Sequence, residues 1–333
     1  MTRRKLLYGA AVAMTPFAKS EEDKPSPLKM GIATTSYMTV WRLHATYEFL
    51  EHCNALGASG IQAAITGNPS KLRARAEELG MFIEAMVPIP WDGDTSAFEH
   101  SLQNAKAAGA TCLRTDTHGK RRYETFTTYE EYQTWVTLTN KSLDAAVPLL
   151  EKYKIALGVE NHKDRTADQL VSLLKHYSSE YLGACVDCGN NISILEDPFE
   201  VIEKLAPYAV TTHFKDMAVE PYADGFLLSE MRLGEGFLNL PRVVSTLREA
   251  KPHVHILLEM ITRDPLKVPC LTDKYWVSFP DRNGKYLART LKLVQKESKP
   301  LPRMSQLSHE QQMQLEEDNV KACMSYAHEK LGL

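Results

Sequence analysis

The sequence predicts an α/β protein, a (β/α)8 TIM barrel with an extra C-terminal helix. Three observations carry this. Short apolar runs alternate eight times with stretches of helical spacing, at ~25–45 residues per unit, the parallel βα alternation that closes into a barrel. Four of those runs in succession end on a charged or ligating side chain: Glu160, Asp187, His213 and Glu259. No G-x-G-x-x-G follows the first run, which counts against the rival architecture, an open doubly wound sheet.

The chain divides into three parts. Residues 1–26 read as an export signal and linker, 27–298 as the barrel and 299–333 as a helical extension. Arg3-Arg4-Lys5 precede a short apolar run from Tyr8 to Met14 that ends near Ala18. Basic residues followed by a modest apolar run are the order of a twin-arginine signal. The run is too short to span a bilayer. The mature protein is therefore expected to be periplasmic or otherwise exported, with no stable membrane anchor. Lys24-Pro25-Ser26-Pro27 is a linker by composition.

The barrel units follow in order. Leu28–Thr34 reads as the first strand and His44–Leu56 as the first helix, stopped by Gly57. Gly60–Ile65 is the second strand. Ser70–Leu79 is the second helix, with Ser70 as its N-cap candidate and Gly80 after its end. Met81–Val87 and Thr95–Ala108 form the third unit. Thr111–Thr115 is the fourth strand, followed by a long polar loop and a long helix, Glu130–Tyr153. The last four strands end at Glu160, Asp187, His213 and Glu259. Their helices are read as Ala167–His176, Pro198–Ala206, Leu240–Ala250 and Lys285–Glu297. Beyond the breaker-rich Lys299-Pro300-Leu301-Pro302-Arg303, Ser308–Leu331 is amphipathic, with Met313, Val320, Cys323, Met324 and Leu331 as inner candidates. This helix is expected to pack on the outside of the barrel or against a second copy in a homo-oligomer.

A formal net charge of −3 gives no nucleic-acid surface. The six cysteines are scattered and form no disulfide framework. Cys185 and Cys188 make a C-x-x-C, but Cys185 falls inside a strand, so both read as buried small hydrophobes.

In such a barrel the C-terminal mouth carries the chemistry, and strand ends converge there. Three carboxylates gathered at a low-dielectric mouth repel one another and would take up protons if left bare. A divalent cation removes the conflict. Three oxygen donors and one imidazole suit Mn²⁺, Mg²⁺, Co²⁺ or Zn²⁺. One such ion is the expected cofactor, held by Glu160, Asp187, His213 and Glu259.

Five stretches together resemble the xylose isomerase-like TIM-barrel superfamily, over about residues 28–297. They are Gly158-Val159-Glu160-Asn161-His162, Val186-Asp187-Cys188-Gly189-Asn190, Thr212-His213-Phe214-Lys215-Asp216, Leu233-Gly234-Glu235-Gly236 and Leu258-Glu259. That superfamily holds sugar isomerases, ketose 3-epimerases, inosose dehydratases and endonuclease IV. The resemblance implies that the matching Glu, Asp, His and Glu hold one catalytic metal, and that Glu160 and Glu259 remove and return a proton beside a sugar carbonyl. Asn190 stands where ketose 3-epimerases have a histidine, and Thr166 where they have an acid. Both departures count against that particular activity. Endonuclease IV is disfavoured because its site has more histidines.

The substrate-binding candidates are His162, Asn190, Lys215, Arg232, Trp91 and His118. His162 could bond substrate or orient a ligand. Lys215 and Asp216 could hold a substrate oxygen or form a structural pair. Arg232 could clamp substrate from the seventh loop, and Trp91 could stack on a sugar face. Arg114 and Asp116 are further mouth candidates. The expected function is a metal-dependent sugar isomerase or epimerase working through an enediolate of a keto- or aldo-sugar. A lyase or dehydratase of a keto-sugar or keto-glycoside comes second. A non-catalytic sugar-binding barrel is third, and the complete ligand set counts against it.

Overall fold

The computed structural model describes residues 30–38, 45–91, 93–117 and 121–333. The expected export signal and linker of residues 1–26, and the candidate His118, lie outside the described residues. Among the described residues no helix is long and apolar enough to cross a membrane.

Seven parallel strands run in chain order: β1 (Met30–Ala33), β2 (Gly60–Ala63), β3 (Phe82–Met86), β4 (Leu113–Thr115), β5 (Leu157–Glu160), β6 (Leu182–Asp187) and β7 (Ala209–His213). A hairpin follows, β8 (Asp216–Tyr222) and β9 (Gly225–Met231), before the eighth barrel strand, β10 (Ile256–Leu258). The last strand is β11 (Leu266–Val268). The barrel sheet has the order β10-β1-β2-β3-β4-β5-β6-β7. It closes where Phe214 donates its amide to Leu257 O (2.7 Å) and Glu259 its amide to Phe214 O (2.9 Å). Helices cover the outer face, so both faces of the strands are buried and the strands read as near-continuous apolar runs.

Local chemistry sets the helix starts. Thr128 with Glu131, Thr166 with Gln169 and Ser308 with Gln311 form reciprocal capping boxes ahead of Tyr129–Tyr153, Ala167–Tyr177 and His309–Tyr326. Thr166, the position that departs from the epimerase pattern, is thus a helix cap. The second helix starts at Pro69, not after Ser70. Asn68 is its cap and accepts from Lys71 N at 3.0 Å, and proline suits the first helical position.

The hairpin is absent from the sequence reading. β8 and β9 pair antiparallel from Asp216↔Met231 to Tyr222↔Gly225, and β11 joins them as a third strand. Its signal is Asp224-Gly225 at the turn, where Gly225 adopts φ 151°. The surrounding βα repeat disguises the stretch as a loop between two units.

The C-terminal helix packs on the barrel through Val320, Cys323 and Met324, all buried. Met313 is instead 36% exposed, and Leu331 sits half-buried in a closing π-turn. The inner face is partly polar. Asn319 accepts from Arg232 Nε (2.8 Å) and donates to Thr262 Oγ1 (2.9 Å), while Tyr37 donates to Glu317 (2.9 Å). All six cysteines are free and buried, in line with the reading of Cys185 and Cys188.

Candidate metal centre at the barrel mouth

Glu160 ends β5, Asp187 ends β6, His213 ends β7, and Glu259 follows β10. Parallel register sets Asp187 directly beside His213. One ligand atom from each of the four lies within 4.8 Å of the others, and all four side chains are buried. His213 Nδ1 is 3.2 Å from Glu259 Oε1, 3.4 Å from Glu160 Oε1 and 3.9 Å from Asp187 Oδ2.

The surroundings aim these atoms inward. Asp187 Oδ1 accepts from the amides of Gly189 (2.8 Å) and Asn190 (2.7 Å), so that oxygen is occupied. The Asn161 side chain clamps the Asp187 backbone at both ends, donating to its carbonyl (2.8 Å) and accepting from its amide (2.9 Å). Asp187 Oδ2 is left beside Lys215 Nζ at 2.7 Å, without the geometry of a hydrogen bond. His213 Nδ1 likewise has no hydrogen-bond partner. Both atoms thus lack a hydrogen bond, with Lys215 standing by the first and Glu259 and Glu160 by the second. They belong to the predicted ligand set and face the same point. Three oxygen donors and one imidazole fit a borderline or hard divalent ion.

His213 is oriented from inside the barrel. Gln62 on β2 gives its amide to Glu84 Oε2 on β3 (3.0 Å), which leaves Gln62 Oε1 to accept from His213 Nε2 at 2.7 Å. That bond keeps a proton on Nε2 and leaves Nδ1, which faces the carboxylates, as the nitrogen that would ligate once deprotonated. Glu84 is also held by the Thr211 hydroxyl and by His255 Nδ1 (3.0 Å). His255 in turn stacks on Phe82 at 3.7 Å. Gly60 makes room for this stack, since a Cβ there would collide with the Phe82 ring. Gln62 and Glu84 are not among the sequence candidates. Their signal is a polar residue in the middle of an otherwise apolar strand.

Cations surround the cluster. Arg114 on β4 grips Glu160 Oε2 through Nε (2.8 Å) and Nη2, and Asn190 Nδ2 donates to Glu160 Oε1 (2.8 Å). Lys215 pairs with both Asp187 and Glu259. Burial works against charge on Glu160 and Glu259, but Arg114 and His213 hold the first, and His213 and Lys215 the second, well below the usual carboxylate range. Burial, with Glu259 and Glu160 adding to it, raises Asp187 despite Lys215. Burial would also lower His213, but Glu259 and Glu160 push it up to about 9.

A pH dependence follows. A histidine raised from 6.5 to about 9 stabilises the fold fully below pH 6.5 and loses that contribution as pH climbs through 9. Metal-free protein is therefore expected to lose stability, on the order of 1–2 kcal/mol, between pH 6.5 and 8. Lys163, lowered to about 8 by burial and by Lys215 and Arg263, acts in the opposite direction but only from about pH 8 upward. Urea unfolding in chelator checks this, and saturating Mn²⁺ should flatten the slope. A metal-free stability that stays flat or rises over this interval would contradict it.

The other sequence candidates separate. Asn190 and Lys215 join the cluster. His162 adjoins it, feeling the fields of Lys163, Glu160 and Arg114, and burial with Lys163 lowers it to about 4. Lys215 and Asp216 part company. Asp216 accepts from the amides of Met217 (2.9 Å), Gly234 (3.0 Å), Gly236 (2.8 Å) and Leu238 (3.1 Å), so it anchors the Leu233-Gly234-Glu235-Gly236 loop. Gly236 is required there, because a Cβ would collide with Asp216 Oδ1. Arg232 turns to Asn319 of the C-terminal helix. Trp91 is 43% exposed on the loop after β3. The site also holds Lys163 and the pair Arg263–Glu230, none of them a sequence candidate.

Comparison with known proteins places the chain. A curated relative, 3-oxo-isoapionate decarboxylase of Pectobacterium atrosepticum, is 26% identical over 250 residues, covering 73% of this chain and 82% of the relative. D-psicose 3-epimerase of Clostridium cellulolyticum H10, crystallised with D-tagatose, superposes with a TM-score of 0.55 at 12% identity, covering 82% of this chain and 100% of that one. A zinc-bound IolI protein gives 0.55 at 13% identity, covering 90% and 99%. At such identities the two structures share the fold. The model of the family described as xylose isomerase-like TIM barrel matches residues 50–276, most of the barrel, and the chain belongs to that family.

Proposed function

We propose that the protein is a divalent-metal-dependent sugar isomerase or epimerase that works through an enediolate of a keto- or aldo-sugar. The observation that carries this is the buried quartet. Glu160 and Glu259 approach His213 Nδ1 from separate strands, at 3.4 and 3.2 Å, beside Asp187 Oδ2, which accepts no hydrogen bond. Glu160, Asp187, His213 and Glu259 would hold the ion, which supplies Lewis acidity for the charge that develops on the sugar oxygens. The chain's own residues do the rest. Gln62 and Asn161 fix the ligands, and burial excludes water. Glu160 and Glu259 would take and return the proton. Arg114 and Lys215 lower the basicity of these two carboxylates, so the proton transfer relies on an acidified carbon.

A lyase is the second reading. It is favoured by the four cations at the mouth and by a curated relative whose name is that of a 3-oxo acid decarboxylase. Loss of CO₂ from a 3-oxo acid leaves its electron pair in an enediolate without a carboxylate base, whereas a β-leaving group is expelled from an enediolate that such a base has first formed. NMR in D₂O separates the readings, using keto-sugars, keto-glycosides and 3-oxo sugar acids with Mn²⁺-loaded protein. Deuterium beside the carbonyl with an intact carbon skeleton supports the isomerase or epimerase. Release of CO₂, water or an aglycone supports the lyase. No exchange and no turnover across the panel would sink both in favour of a binding role.

A further inference from the structure

Lys163 has no place in that chemistry. It is buried at 4% exposure, with its backbone in the left-handed region at φ 69°. Few non-glycine residues sit there without a reason. Its Nζ donates to Asn190 Oδ1, a neutral acceptor. No carboxylate lies within ion-pair reach of it among the described residues. The other cations of the mouth are all paired: Arg114 with Glu160, Lys215 with Asp187 and Glu259, and Arg263 with Glu230. A buried ammonium without a counter-charge is costly and persists where something else uses it.

The charge balance points the same way. Four buried carboxylates, Glu160, Asp187, Glu230 and Glu259, face four cations, Arg114, Lys163, Lys215 and Arg263. With His213 deprotonated, as a ligand must be, these charges balance without the ion. A divalent ion adds two positive charges, and a neutral sugar returns none. Asn190 links the ammonium to the ligand set, since its Oδ1 takes Lys163 Nζ and its Nδ2 donates to Glu160 Oε1 at 2.8 Å.

We propose that Lys163, with Asn190, is an anion subsite, and that the substrate is a sugar acid whose carboxylate binds there. This rests on the metal-dependent sugar reading above, and holds whether the reaction isomerises that acid or cleaves it. Lys163 is then a binding residue that fixes which end of the substrate lies over the ligands. Burial and the neighbouring cations also depress its proton affinity, as expected of an ammonium awaiting a partner.

Calorimetry on Mn²⁺-loaded protein tests this, with D-gluconate and D-ribonate as probes and the matching alditols, D-glucitol and ribitol, as neutral controls. The wild-type chain should bind the aldonates at least tenfold more tightly. Lys163→Met should level the two classes to within threefold, with metal content unchanged, and Lys163→Arg should keep the preference. Metal-free Lys163→Met should melt no lower than wild type, because it removes an unpaired buried charge. Asn190→Asp, which gives Lys163 a permanent counter-ion, should abolish the preference too. Equal binding of aldonate and alditol, no binding of either, or a preference that survives both variants overturns the proposal. So does a large drop in the melting temperature of Lys163→Met, the mark of a structural cation. Absence of a bound ion would instead strike the proposed function, and the aldonate preference of the metal-free protein would still report on Lys163.

Discussion

Asp187→Asn is expected to leave a folded barrel that no longer retains a divalent ion. The substitution keeps the shape of the side chain. The oxygen of the new carboxamide can still accept from Gly189 and Asn190, and the Asn161 clamp acts on backbone atoms, so the turn after β6 survives. What changes is the position of Oδ2. It becomes an amide nitrogen that cannot ligate, next to His213 Nδ1 and Lys215. Replacing residues that merely orient metal ligands lowers affinity 10- to 100-fold, so losing a ligand should exceed about 100-fold, or about 2.7 kcal/mol. Elemental analysis after dialysis, with circular dichroism as the control for folding, measures it. Turnover of any substrate found should fall in parallel. A folded Asp187→Asn protein with one tightly held ion per chain would rule out the quartet as the metal centre.

Glu84→Ala should be the most damaging change away from the ligands. Glu84 is fully buried and accepts from Gln62, Thr211 and His255. Its removal takes an acceptor from three polar groups, of which Gln62 and Thr211 keep only each other at 3.3 Å, and opens a cavity inside the barrel. Breaking such a buried network costs about 3–5 kcal/mol. The second effect is on the site. Without Glu84 to accept its amide, Gln62 can turn its NH₂ toward His213, and the proton that defines the tautomer is no longer fixed. Metal affinity should fall 10- to 100-fold. Glu84→Gln, which keeps the volume and one acceptor, should lose less in both respects. Urea unfolding gives the first number and competition with a chromogenic chelator the second. A folded Glu84→Ala protein that binds metal as tightly as wild type would show that Gln62 holds its orientation by other means.

The two networks differ in how far the sequence discloses them. The four ligands are legible because each ends an apolar strand, and strand ends of a barrel converge on one mouth. Asn190 and Lys215 are legible as neighbours of those ends. Gln62 and Glu84 are not, because polar residues inside short strands gain meaning only once register sets them opposite each other, as it does for Gln62↔Glu84. Lys163 stands in plain view after His162, yet the lack of a counter-ion is a property of space, not of order. The hairpin is hidden for a related reason. A repeat of strands and helices, once recognised, absorbs any polar stretch between two units as loop. Arg232 and Asp216 belong to the mouth only by proximity in sequence. The fold spends one on the C-terminal helix and the other on the loop before Leu240–Ala250.

The closing seam of the barrel has a consequence for the order of events along the chain. Glu160, Asp187 and His213 stand on three consecutive strands and can come together as soon as β5, β6 and β7 pair. Glu259 cannot join them then. It is brought in when its backbone N–H donates to Phe214 O, just past a strand whose other neighbour is β1, where Met30 pairs with Ile256. The last ligand thus arrives only when the two ends of the sheet meet. An ion held by all four residues would tie that seam from the inside.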